Sequence, residues 1–255
     1  MGIPRLIGMV HLTPLPGSPG FNGDLGTVID TAVADARIIA AAGFDGLMIE
    51  NFGDAPFFAD DVPKETIASL TAAVIAVHEA AQIPTGVNAL RNDALGALAV
   101  AAATPASFIR VNVLSGSMFT DQGPIVGKAA EVARLQKAIC PDVAIMADVF
   151  VKHATPPAGL SLVDATHDLV ERAGADAVVV SGAGTGSPAD LSEVKTVSGA
   201  SNLPVYLGSG VHLGNIGAML GAADGAIIGT SIKVGGIPTG PVDETLARKM
   251  VEAAG

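Results

Sequence analysis

Eight short apolar runs, each closing in polar or glycine-rich chemistry and each followed by a helical pattern, leave this chain few folds to adopt. They are RLIGMVHL (5–12), GLMIENF (46–52), TGVNALR (85–91), FIRVNVL (108–114), VAIMADVFV (143–151), DAVVVSG (176–182), PVYLGSG (204–210) and GAIIGTS (225–231). Between them lie stretches such as TVIDTAVADARIIAAAG (27–43), KETIASLTAAVIAVHEAA (64–81) and SLVDATHDLVERAG (161–174). The first and third of these end in the glycine that commonly stops a helix. Strand then helix, eight times over 255 residues, predicts an α/β protein with one domain over 1–255, a (β/α)8 TIM barrel. An open doubly wound sheet is the alternative, and it has no need of so regular a count.

A parallel barrel sends its functional side chains to the C-terminal ends of its strands and the loops beyond. The candidates there are His11, then Glu50 and Asn51, Asn88 and Arg91, Arg110 and Asn112, Asp148 with Lys152 and His153, Ser181, Ser209 and Thr230. The fourth run is the most informative. At a period of two, Phe108, Arg110 and Asn112 share one face and Ile109, Val111 and Val113 the other. The apolar face belongs against the helices, so Arg110 and Asn112 are expected in the barrel mouth. A buried guanidinium needs a partner, and Glu50 and Asp148 are the candidates. Asp121, in TDQG after the fourth strand, is read either as a turn former or as an acid/base brought in by its loop.

The last two runs open into GSG (208–210) and GTS (229–231). Glycine-rich loops after the final barrel strands commonly hold phosphate through exposed backbone amides. Gly208, Ser209, Gly210, Gly229 and Thr230 are therefore the expected phosphate cradle, with Lys233 a peripheral helper. SGAGTGS (181–187) has the spacing G-x-G-x-G rather than the dinucleotide fingerprint and is expected to be a loop that closes over substrate.

Fourteen basic against twenty-five acidic residues give a net charge of −11, which argues against nucleic acid and anionic membranes as partners. A phosphorylated small molecule must then be held by local donors. The single cysteine, Cys140 before Pro141, reads as a structural thiol in a reducing cytoplasm. The opening MGIPRLIGMVHLTPLPG lacks the pattern of a secretory leader, so no export is expected. Residues 196–223 carry no charged side chain, but Pro204 and repeated glycines make them a strand and loop rather than a membrane span. Glu50, Asp148, His153 and His11 are of metal-ligating type, which leaves a divalent metal as an alternative, yet no compact motif such as H-E-x-x-H accompanies them. No other cofactor is expected. His78 and His167 fall in helical stretches as packing or surface residues, and His212 in a loop. Barrels commonly assemble, so a homo-oligomer is expected.

The stretches IGMVHLTPLPGSP, GFDGLMIENFGDAPF, GVNALRND, FIRVNVLSGSMFTDQG, ADVFVKHA, DAVVVSGAGTG, GSG and DGAIIGTSIK together resemble the BtpA family, also called BtpA/SgcQ, over nearly the whole chain. The resemblance implies a ribulose-phosphate-binding barrel. It implies two different roles: a membrane-associated factor for photosystem I biogenesis, or a protein of sugar utilisation. After Lys233 the segment VGGIPTGPVDE departs from the family's asparagine-proline tail. The convergence of Glu50, Asn88, Arg110, Asn112, Asp148, Lys152 and His153 favours an enzyme over a scaffold. The expected substrate is a phosphosugar or a phosphorylated nucleoside-like molecule. Glu50 or Asp148 would act as base, while Lys152, His153 or Arg110 would stabilise an oxyanion. Lys152 is alternatively a Schiff-base amine. Isomerisation, aldol-type cleavage and glycosidic cleavage all fit, and the competing class is a non-catalytic assembly factor associated peripherally with a membrane complex.

Overall fold

The computed structural model describes residues 2–182 and 189–255. In chain order the strands are β1 (Leu6–His11), β2 (Gly46–Glu50), β3 (Thr85–Asn88), β4 (Phe108–Val111), β5 (Ser117–Thr120), β6 (Gly123–Val126), β7 (Ala144–Asp148), β8 (Ala154–Thr155), β9 (Ala177–Val180), β10 (Val205–Leu207) and β11 (Gly225–Ile228). Eight of them, all parallel, close into a barrel in the order β1-β2-β3-β4-β7-β9-β10-β11. The expected TIM barrel is the observed fold, with every expected strand in place.

Alternation along each strand builds two cores. Ile7, Met48, Phe108, Met146, Val179 and Tyr206 fill the barrel, while Val10, Leu47, Ile49, Ile109, Val111 and Ile145 pack outward against the helices. Gly86 in β3 is required inside, because a Cβ there would run into the ring of Phe108. The surrounding helices are α1 (Leu25–Ala42), α2 (Lys64–Ala81), α3 (Ala94–Ala102), α4 (Ala129–Ile139), α5 (Leu162–His167), α6 (Leu191–Ala200), α7 (Ile216–Leu220) and α8 (Glu244–Ala254); α5 runs on as a π-helix over Asp168–Ala173. Helix α1 shows why such a segment is helical. Asp24 caps it by accepting from the Gly26 amide, Val28, Ala32, Ala36 and Ile39 make one buried stripe, and Gly43 ends it at φ 98°.

A device at the floor of the barrel fixes the strand register. Asp45, Asp176 and Asp224 each precede a strand, and each carboxylate accepts an amide at the start of the neighbouring strand, from Leu6, Ile145 and Val205, at 2.8 Å. Each of these aspartates returns its own amide to the carbonyl of the same residue. Three strand pairs are thereby locked, and with them the height at which their last residues emerge at the mouth.

The segment after β4 differs from expectation. Instead of an open loop, β5 and β6 form an antiparallel hairpin that pairs with β8 as a three-stranded sheet. Its strands are too short to show a sequence period. They are held from below by Met118 and Ile125, which join Val113 and Val151 in a small separate core. Residues 196–223 span the end of α6, β10 and α7, and no helix of the described residues is long and apolar enough to cross a membrane. Cys140 is buried, with Sγ 3.8 Å from the Leu98 carbonyl oxygen, and burial raises its thiol pKa. The glycine-rich loop expected to cover substrate lies largely at 183–188, outside the described residues.

Candidate active site at the barrel mouth

Strand register brings the first cluster together. His11 pairs with Glu50 and Glu50 with Asn88, so three inward-facing polar side chains stand at one level on β1, β2 and β3. Asn88 Nδ2 donates to Glu50 Oε2 at 2.7 Å, and His11 Nε2 lies 3.8 Å from Glu50 Oε1. His11 Nδ1 is 2.7 Å from the Pro238 carbonyl oxygen. A carbonyl only accepts, so Nδ1 carries the hydrogen and Nε2 is the nitrogen turned towards Glu50. The His11 ring stacks on Phe52 at 4.6 Å between centroids. Burial lowers the His11 pKa, and the opposing pull of Glu50 does not reverse the shift.

The second cluster centres on Asp148. Its Oδ1 accepts from Arg110 Nη2 at 2.8 Å and Ser181 Oγ at 3.2 Å; its Oδ2 accepts from Asn112 Nδ2 at 2.9 Å and Arg110 Nε at 3.2 Å. The face expected of β4 is the one observed, and Asp148 is the partner of Arg110. Burial opposes the guanidinium charge, but Asp148 outweighs it and holds the Arg110 pKa above its ordinary value. With both oxygens engaged, Asp148 borders neither of the cavities described next. That geometry has it anchor Arg110 and Asn112.

Two compartments open at the mouth. One, of about 140 Å³, is bordered by His11, Glu50, Arg110 and Lys152 on one side and by Gly208, Ser209, Gly210, Gly229, Thr230 and Ser231 on the other. The second, of about 350 Å³, is bordered by Glu50, Phe52, Phe57, Leu90, Arg91, Asn112, Asp121, Gln122, Lys152 and His153. Glu50 and Lys152 belong to both. Arg91 Nη2 donates to the Lys152 carbonyl at 2.6 Å and so fixes the backbone from which the lysine projects. Burial, joined by the neighbouring charges of Arg110 and Arg91, lowers the Lys152 pKa against the contrary pull of Glu50 and Asp148. Burial likewise lowers the pKa of His153, which sits at the rim with φ 59°.

The glycine side carries no charge of its own. Gly210 takes φ 68°, a conformation glycine adopts freely, and Ser209 Oγ accepts from the Gly182 amide at 2.9 Å. Thr230–Ile232 is a 3-10 turn whose first amides have no acceptor within the turn. Gly208 has a second reason to be glycine, since a Cβ would come within 2.5 Å of Ser181 Oγ and Val179 Cγ1. Lys233 corrects the sequence reading. It is fully buried and turned away from the cavity, its Nζ 2.5 Å from Asp35 Oδ2 on α1, while Asp35 Oδ1 accepts the Val242 amide at 2.7 Å. An aliphatic stem flanked by buried Ile232 allowed the lysine to be drawn inside. It ties the β11 loop to α1 and offers nothing to a ligand.

The model of the BtpA family matches residues 4–255. The chain belongs to the BtpA family. A Thermococcus kodakarensis protein of unassigned role is 48% identical over 98% of this BtpA-family chain and 94% of its own. The photosystem I biogenesis protein BtpA of Synechocystis is 43% identical over 97% of this chain and 87% of its own. Among solved structures, the thiamine phosphate pyrophosphorylase of Pyrococcus furiosus superposes with a TM-score of 0.61 at 11% identity, covering 98% of this chain and 95% of its own, a likeness of fold.

Not every candidate reaches the mouth of this BtpA-family barrel. Asn51 is spent on structure: Oδ1 accepts the Leu90 amide at 2.7 Å and Nδ2 donates to Asp54 at 3.1 Å. Asn88 and Ser181 position Glu50 and Asp148 from behind. The metal alternative finds no support in the geometry, since Glu50, Asp148, His11 and His153 form no common ligand set. Among the described residues the one group close enough to share an ion is Asp60, Asp61 and Asp93, which borders neither compartment. There Lys128 Nζ already lies 2.5 Å from Asp60 and 3.3 Å from Asp61. Phe52, Phe57, Gln122 and Ser231 were not singled out from sequence. Only Ser231 carried a signal, as the last residue of GTS. His212, read as a loop residue, lines the first compartment, and His78 packs on Thr85 Oγ1 at 3.2 Å.

Proposed function

We propose that this BtpA-family protein is an enzyme acting on a phosphorylated small molecule by proton transfer at Glu50, with Lys152 stabilising the charge that develops. The observation that carries the reading is that these two side chains border both compartments and so stand where a ligand spanning them would react. Phosphate belongs in the smaller one. Gly210, Thr230 and Ser231 surround it with backbone donors, Ser231 Oγ is buried there without a partner, and Arg110 and Lys152 face them across the cavity. Local donors of this kind suit a protein of net charge −11.

Glu50 is the base because its Oε1 is not consumed by hydrogen bonding as the Asp148 oxygens are. Asn88 orients it. A carboxylate that removes a proton beside a carbonyl generates negative charge on the carbonyl oxygen, and the Lys152 ammonium stabilises that charge. In its neutral form, favoured by the lowered pKa, Lys152 instead attacks the carbonyl carbon and expels water to give an imine. Isomerisation starts from that C–H proton, whereas in aldol-type cleavage the base takes the β-hydroxyl proton as the Cα–Cβ bond breaks; both leave the same negative charge on the carbonyl oxygen beside Lys152. Borohydride added with a phosphosugar screen separates the two uses of Lys152: a mass increase confined to Lys152 marks the imine.

A thermal-shift screen with inorganic phosphate, ribose 5-phosphate and unphosphorylated ribose tests the phosphate reading, because a ligand bound to the native state raises its apparent stability. The informative variant is Ser231→Asp; Gly208 is unsuitable, since any side chain there strikes Ser181. Stabilisation by the two phosphates, absent for ribose and lost in Ser231→Asp, supports the reading, and indifference to phosphate sinks it. The role of the Synechocystis relative suggests an assembly factor instead, and Phe58 and Ile237 are exposed on loops and Phe119 and Val126 on the β5–β6 hairpin. That reading leaves the junction at Glu50 and Lys152 without a purpose; co-sedimentation of the protein with a membrane fraction is its test.

A further inference from the structure

The larger compartment holds two buried acceptors with nothing to accept. Asn112, 2% exposed, donates through Nδ2 to Asp148 and leaves Oδ1 without a partner. The amide cannot be reversed, because a carboxylate takes only donors. Gln122 repeats the arrangement on the hairpin turn above: Nε2 donates to Asp121 Oδ2 at 2.6 Å, and the buried Oε1 has no partner. Native proteins seldom leave such oxygens unpaired, and both border the same cavity. Its remaining walls include the aromatic residues Phe52 and Phe57 and the cationic Arg91.

We propose that this compartment is a subsite for a planar heterocycle that donates N–H hydrogen bonds to Asn112 Oδ1 and Gln122 Oε1, so that the phosphorylated ligand is of nucleotide type. The inference rests on the preceding reading for the phosphate end alone; a nucleotide pentose has no free carbonyl, so on such a ligand Glu50 would instead take a proton from a water that attacks the anomeric carbon as the heterocycle leaves with the bonding pair, the glycosidic cleavage the sequence also allowed. The phosphate lies among Gly210, Thr230 and Ser231, the pentose crosses Glu50 and Lys152, and the ring lies against Phe52 and Phe57. A ring of this class satisfies the three kinds of wall together: its N–H groups meet the two orphan oxygens, a ring carbonyl accepts from Arg91, and its flat face covers aromatic surface. A short sugar phosphate with its phosphate in the first compartment would leave most of the second, about 350 Å³, unfilled.

Titration calorimetry of the intact protein tests this with the four common ribonucleoside 5′-monophosphates, the matching nucleosides, ribose 5-phosphate and inorganic phosphate. Asn112→Leu would also strip a donor from Asp148, so the variants are Gln122→Leu and Phe57→Ala, which leave the Arg110–Asp148 pair alone. At least one nucleotide is expected to bind about tenfold or more tighter than ribose 5-phosphate, and each variant to remove about tenfold of that affinity while ribose 5-phosphate binds as before. The subsite is overturned if nucleotides bind no tighter than ribose 5-phosphate, if neither variant changes their affinity, or if no nucleotide or nucleoside binds. Should phosphate and ribose 5-phosphate fail while a nucleoside binds and responds to both variants, the subsite stands and the phosphate cradle falls.

Discussion

Arg110 meets Asp148 through two N–H groups on two oxygens, Nη2 to Oδ1 at 2.8 Å and Nε to Oδ2 at 3.2 Å, with neither residue more than 3% exposed. Asn112 and Ser181 complete the shell of Asp148. A carboxylate held in this way organises the mouth, whereas Glu50 keeps one oxygen towards the cavities, as the role of base proposed for it requires.

The two carboxylates therefore respond differently to loss of charge. Asp148→Asn leaves the Arg110 charge buried without its counter-ion and should cost about 3–5 kcal/mol, read as a lowered urea midpoint at unchanged slope. Glu50→Gln preserves an acceptor for Asn88 and should stay within about 1 kcal/mol of the parent while turnover of any substrate found falls by about 10²–10⁴. Equal stability losses in both variants would contradict the division of roles.

Lys152 should label faster with acetic anhydride at neutral pH than the exposed lysines, because burial lowers its pKa from the usual 10.5. Bound phosphate should reverse this by bringing an anion beside the amine. The sign for stability follows from the same shift. The unfolded chain protonates this lysine more readily, so its contribution weakens as pH falls from about 10.5 towards the folded value and is constant below it. Labelling indistinguishable from that of surface lysines would count against a desolvated amine.

His11 should be neutral at pH 7, protonated on Nδ1, and should titrate below the ordinary 6.5. Nitrogen-15 shifts of the imidazole read both tautomer and midpoint. Because the folded pKa is depressed, the unfolded chain gains the proton first, and this residue's contribution to stability is lost as pH falls below about 6.5. A midpoint above 6.5 would mean that Glu50 outweighs burial.

Removing Asp35 alone strands the Lys233 ammonium in the interior, so Asp35→Leu should cost about 3–5 kcal/mol, whereas the double replacement Asp35→Leu with Lys233→Met should recover most of it. The double variant should bind inorganic phosphate as the parent does. Weakened phosphate binding in a stable double variant would return Lys233 to the cradle.

What was legible in the sequence was whatever a strand's alternation controls. Arg110 and Asn112 fall on the inner face because Ile109 and Val111 must face helices, and His11, Glu50 and Asn88 end their runs at one height for the same reason. Less accessible was how polar groups divide their hydrogen bonds: nothing local distinguishes a saturated Asp148 from a half-free Glu50, since the partners come from β4 and β9. Phe52, Phe57 and Gln122 escaped notice because loops carry no period. Lys233 was misplaced because its partner is 198 residues away on α1.

The ring of Phe108, seated where Gly86 has no side chain, packs with Ile7, Met48, Met146 and Tyr206 to fill the barrel interior, and that filling bears on isotope exchange. On the role proposed for Glu50, a hydrogen that it takes would have no passage down the barrel axis. It returns to the same ligand or escapes past that ligand through the mouth. If the proposed proton transfer holds, deuterium should pass from substrate to product more faithfully the more completely the ligand fills both compartments.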